Sequence, residues 1–126
     1  MWYSVHAFLY FQFKDGSQDE YFGHENIYLI EAESPEEAQT KGKKRAKQDE
    51  GDDDGSLTLN DRPATRTLGG ILKVVECTDL DLDTDKPVDG TELTYSDLIL
   101  PNKHEFDKFV SGRSSTLVYL GFDEDD

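Results

Sequence analysis

From Trp2 to Phe13 apolar and mixed positions alternate along the chain. The odd positions Tyr3, Val5, Ala7, Leu9, Phe11 and Phe13 make one continuous apolar face, while the even positions Trp2, Ser4, His6, Phe8, Tyr10 and Gln12 are mixed. A period of two predicts a strand with one clean buried face. Lys14-Asp15-Gly16-Ser17 supplies turn residues, so a second strand is expected from about Glu20 to Glu33, closing a long hairpin. Two registers compete. A two-residue Gly16-Ser17 loop opposes Val5 to Tyr28 and Leu9 to His24, and one extra loop residue opposes Val5 to Leu29 and Tyr10 to His24. The second is favoured near the strand ends, because it sets Ala7 and Val5 against Ile27 and Leu29. Gly23 marks a place where a bulge would correct a slip.

Ser34-Pro35-Glu36-Glu37 then reads as a helix start: an N-cap, a proline at the first helical position and a capping-box glutamate. The helix is expected to run to about Gln48. Its apolar stripe is Ala38, Gly42 and Ala46, spaced by four. Such small residues predict close seating on the aromatic face of the sheet. Residues 49–66 lack periodicity and read as an irregular acidic loop. A third strand is expected over Ile71–Thr78, an acidic connection over Asp79–Gly90 and a fourth strand over Glu92–Leu100. A second helix follows, capped by Asn102, with Phe106, Phe109 and Val110 on one face and Gly112 as its stop. Thr116–Phe122 reads as a short fifth strand or an extended arm.

The expected fold is therefore α+β, in the order β-β-α-β-β-α-β, with a mostly antiparallel sheet and both helices on one face. From the second strand onward the pattern has a ferredoxin-like tendency. Residues 1–122 read as a single α+β domain and 123–126 as a disordered acidic tail.

Composition narrows the partners. Thirteen Lys and Arg stand against 28 Asp and Glu, a net charge of −15. That field repels phosphate backbones and anionic lipid, so no direct nucleic-acid or membrane binding is expected, and a basic protein partner suits it better. Cys77 is the lone cysteine. Met1 is followed by an aromatic alternating stretch with no basic segment ahead of it, and no apolar run is long enough to span a bilayer. A cytoplasmic location is expected.

Trp2-Tyr3-Ser4 opening an aromatic strand, followed by Leu29-Ile30-Glu31-Ala32-Glu33-Ser34-Pro35-Glu36-Glu37-Ala38, resembles the DUF4288 family of small bacterial proteins. Ile71-Leu72-Lys73-Val74-Val75-Glu76 and Asp89-Gly90-Thr91-Glu92-Leu93 are similar to that family's second half. The resemblance implies a fold over roughly residues 2–100 and carries no catalytic residue.

Local chemistry is sparse. Asp81, Asp83, Asp85 and Glu92 match positions one, three, five and twelve of a calcium loop, but Lys86 stands where that loop requires glycine. His6, His24 and Glu25 share adjacent strands without a third fixed ligand, and sheet-face histidines are the simpler reading. Lys41, Lys43, Lys44, Arg45 and Lys47 complement the helix dipole and pair within the helix. No phosphate loop, dinucleotide fingerprint, nucleophile elbow or zinc spacing is present. No enzyme activity and no cofactor are expected. The expected function is a small acidic interaction module, an inhibitor, antitoxin or immunity-type protein, binding a basic partner. Its contact residues would be Trp2, Phe8 and Tyr10, which need a cover that a homodimer would supply, and Asp52, Asp53 and Asp54. The alternative is a divalent-cation binder or metal-dependent enzyme using the Asp79–Asp89 connection.

Overall fold

In the computed structural model residues 1–16, 18–77, 89–113 and 115–120 are described. Strand β1 (Trp2–Phe13) turns at Lys14–Gly16 into β2 (Tyr21–Glu31). Helix α1 (Pro35–Lys47) leads through a short strand β3 (Thr58–Leu59) into the long β4 (Arg62–Cys77). Strand β5 (Thr91–Leu100), helix α2 (Lys103–Val110) and β6 (Val118–Leu120) complete the order. The six strands of the described residues form one antiparallel sheet in the order β3-β4-β1-β2-β5-β6, curled into a half-barrel.

The α+β class and the antiparallel sheet agree with expectation, and the finer topology does not. The β1–β2 hairpin places β1 between β2 and β4, the two strands that α1 connects. In a ferredoxin-like sheet that central slot belongs to the strand after the crossover. Here the locally paired β1 occupies it, and β5 is displaced to the far side of β2. An additional strand, β3, also forms inside 49–66. Asp53 and Asp54 take positive φ there, and Gly51 pairs with Arg66 across the base.

The helices lie on opposite faces rather than on one. Residues paired across an antiparallel ladder share a face, and Val5 opposes Tyr28 while Phe8 opposes Glu25. Tyr3, Val5, Ala7, Leu9, Tyr28 and Ile30 pack beneath Ala38 and Ala46 of α1. Phe8 packs on the other side with Leu98, Leu100 and the α2 residues Phe106, Phe109 and Val110. The mixed even-numbered face of β1 thus needs a helix of its own, which α2 provides.

The register is the one not favoured from sequence: Val5 faces Tyr28 and Leu9 faces His24, without a shift along the hairpin. Tyr28 explains the choice. In this register its ring joins the α1 core, and its hydroxyl donates to Asp49 Oδ2 at 2.6 Å while accepting from Asn26 Nδ2 at 3.1 Å. A slip of one residue would expel Tyr28 and Ile30 from that core. Gly23 marks no bulge in the hairpin; it makes room for the Phe8 ring, which a Cβ there would meet at 2.8 Å.

Both predicted caps form. Ser34 Oγ accepts from the Glu37 N–H at 3.1 Å and Asn102 Oδ1 from the Glu105 N–H at 2.9 Å. The close seating of α1 is also present: a Cβ built on Gly42 would overlap the branched side chain of Val5. Gly42→Ala therefore tests two opposed effects. The helix gains about 1 kcal/mol of propensity, but the added methyl meets a stiff β-branched side chain in a filled core, at about 1–3 kcal/mol. A net loss of about 1 kcal/mol is expected, visible as a lower denaturation midpoint. An unchanged or raised midpoint would show that Val5 yields.

Candidate functional site

Among the described residues the α1 face of the sheet is only partly covered. Helix α1 lies over its Tyr3–Tyr28 half, and the remaining half carries His24, Asn26, Tyr95 and Asp97, residues that share a face through the β1–β2 and β2–β5 registers. Above them opens a groove of about 570 Å³, walled by Gln48, Asp49 and Glu50 after α1, by Asp53 and Arg66, and by Glu92, Tyr95 and Asp97 on β5.

Side-chain bonds, most of them between residues distant in sequence, position the walls. Asp49 follows the C-terminus of α1 and pairs with Arg45 one turn back at 3.1 Å. Arg45 in turn donates from Nε to Gly90 O at 2.9 Å and lies over the Tyr28 ring. Glu50 accepts from the Leu68 N–H at 2.8 Å. Asp53 is gripped by Arg66 from both guanidinium nitrogens. His24 Nδ1 and Asp97 Oδ1 are 2.5 Å apart, and the imidazole is enclosed edge-on by Phe11, Phe22 and Tyr95.

Glu92 differs from its neighbours. Its backbone pairs with Tyr28 in the ladder, but among the described residues its carboxylate has no hydrogen bond or ion pair. Its carboxyl is pushed above the usual carboxylate range, first by partial desolvation and then by the charge of Asp49, against smaller lowering effects of Arg45 and His24. Tyr95 beside it is 59% exposed. Among the described residues five carboxylates line the groove, from Asp49, Glu50, Asp53, Glu92 and Asp97, against the one lining guanidinium of Arg66. The groove is therefore anionic with an aromatic wall.

The residues expected to make contacts are dispersed. Phe8 is fully buried under α2, stacked edge-on with Phe109. Tyr10 is half-buried against Phe106 and Tyr21. The chain's own helix thus provides the cover that a second copy was expected to give. Trp2 is half-buried at the far end of β1. Asp52, Asp53 and Asp54 form the turn before β3. Asp52 is held below the usual carboxylate range, first by its hydrogen bond from Lys14 and then by the Gly55 N–H. Only Asp53 reaches the groove.

Of the calcium-loop set, Asp81, Asp83 and Asp85 lie outside the described residues, and Glu92 stands in the groove. Asp89 is engaged elsewhere, by Lys41 Nζ at 2.7 Å and the Glu31 N–H at 2.9 Å. His6 and His24 are on opposite faces, so they cannot share an ion. Among the described residues no group of three or more His, Cys, Asp or Glu is arranged to hold a metal. Cys77 is a free, half-buried thiol at the end of β4. No helix among the described residues is long and apolar enough to cross a membrane.

Sequence patterning missed the groove because its walls come from five separate places: β2, the residues after α1, the turn before β3, the base of β4 and β5. The one legible signal was the density of Asp and Glu at 49–54. Here the comparison with known proteins adds the family. The model of a domain of unknown function, DUF4288, matches residues 2–94. The chain belongs to this family. The matched span contains every lining residue of the groove except Tyr95 and Asp97. No curated protein and no solved structure matches the chain.

Proposed function

We propose that this DUF4288 protein is a binding module that takes a basic segment of a partner protein into the groove over His24, Tyr95 and Glu92. The carrying observation is Glu92: a carboxylate with no ion pair among the described residues, raised by desolvation and by Asp49, beside an exposed aromatic ring. A lysine or arginine entering there would supply the missing counter-charge, and its aliphatic stem or guanidinium plane would rest on Tyr95. The surrounding negative field would speed encounter with a basic surface and turn acidic ones away. An inhibitor, antitoxin or immunity-type role in the cytoplasm accords with this reading of the groove.

Calorimetric titration with a short arginine-rich peptide tests it. Binding is expected to be salt-sensitive and to require Glu92 ionised. Because the carboxyl titrates above the ordinary range in the free protein and a bound cation favours its charged form, affinity should rise with pH through that raised pKa and fall below it. Glu92→Gln should weaken binding and flatten the profile. The same substitution should leave the thermal midpoint unchanged or raise it, since it removes a carboxylate that the folded state disfavours. Absence of binding at low salt and neutral pH would refute the proposal.

A further inference from the structure

Away from the groove, on the α2 side of the sheet, β1 and β2 bring together a serine, a histidine and a glutamate. His6 Nδ1 is 2.9 Å from Glu25 Oε2, and His6 Nε2 is 3.3 Å from Ser4 Oγ. Ser4 and His6 are two apart on β1 and so share a face. Glu25 joins them because Phe8, two residues further along that face, is its partner in the ladder. The His6 and Glu25 side chains are 12% and 14% exposed, so their bond is shielded from competing water.

A carboxylate only accepts, so a neutral His6 ring bonded to Glu25 carries its proton on Nδ1. That leaves the Nε2 lone pair facing the Ser4 hydroxyl, whose other acceptor, Val75 O, is further away at 3.5 Å. A nucleophile in reach of a base, and the base oriented by a carboxylate, is the arrangement that activates a hydroxyl. Lys73, the register partner of His6, is an exposed cation on the same face and can meet negative charge developing on an attacked group. Val75 and Leu29, the register partners of Ser4, give an apolar floor, and Val75 is 46% exposed.

We propose that Ser4 is an activated nucleophile that accepts an acyl group from esters with a small apolar acyl chain. As Ser4 Oγ bonds to the carbonyl carbon its proton passes to His6 Nε2. The ester C–O bond then breaks, and the departing alkoxide takes that proton, leaving an acyl-serine and an alcohol. Water, giving its proton to Nε2, attacks the acyl-serine next; Ser4 Oγ recovers the proton as the carboxylic acid departs.

A fluorophosphonate probe, which serine attacks at phosphorus with loss of fluoride, tests the activation directly, with intact-mass and peptide-mass readout and p-nitrophenyl butyrate as the ester. One adduct per chain, mapped to Ser4, is expected, along with ester turnover. Ser4→Ala should abolish both. His6→Gln and Glu25→Gln should each slow labelling, the former by about 100-fold. Both replacements retain hydrogen-bonding capacity, and unchanged melting curves would separate lost activation from lost fold. If either variant melts early, the other decides. No adduct on Ser4, or labelling as fast in the well-folded variant as in the parent, would overturn the proposal. Peptide binding in the groove on the other face is independent of either outcome.

Discussion

Replacing Phe8 by alanine is expected to destabilise the protein by about 3–5 kcal/mol, seen as a large drop in the denaturant midpoint. The ring is fully buried and touches Tyr10, Phe106 and Phe109. It also occupies the space over Gly23 that no other residue type would leave open. Its removal takes away the apolar transfer energy of a large ring and leaves a cavity. Helix α2 is short and cannot readily collapse into it, because its Val110 already abuts Gly69 and Gly70 of β4. For a domain of this size the whole stability is only about 6–19 kcal/mol, so the variant approaches the threshold. A midpoint shift below about 1 kcal/mol would mean that α2 does not cover this face in solution.

The same residue shows what patterning along the chain conveys. The alternation of β1, both N-caps, the small-residue stripe of α1 and the apolar face of α2 are local facts, decided by neighbours within a few residues, and each was readable. Phe8 on a mixed face could be read as an interface residue, since nothing near it in sequence says that Phe106 and Phe109 will cover it. Helix placement failed for that reason, and so did the topology. Which strand fills the slot between β2 and β4 is a competition between a hairpin partner and a distant strand. The hairpin has the advantage of a short loop. The register depended on Tyr28, whose bond to Asp49 links β2 to the segment that follows α1. The groove depended on still longer separations, including the His24–Asp97 pair. The Ser4–His6–Glu25 group was half visible: Ser4 and His6 are two apart, but Glu25 joined them only once the register was known.

Reversing charge at the groove should have the largest effect on binding. Glu92→Lys with Asp97→Lys changes the local charge by four units without touching the α1 core, because both positions lie on β5 at the groove wall. Unit charges about 6 Å apart interact by about 0.7 kcal/mol in fully screened surroundings, and by about 1.4 kcal/mol where the effective dielectric constant is half that of water. Four units then amount to about 3 kcal/mol or more, a loss of about 100-fold in affinity for an arginine-rich peptide at low salt. Overall charge offers a rival explanation, since any two reversals reduce the acidic excess equally. Glu33→Lys with Glu76→Lys provides the comparison: both residues are exposed, near the Tyr3 end of the sheet, and neither lines the groove. If binding resides in the groove, the β5 pair should abolish it and the distant pair should cost only a few-fold. Equal losses from the two pairs would mean that the acidic surface attracts basic partners as a whole, with no seat at Glu92.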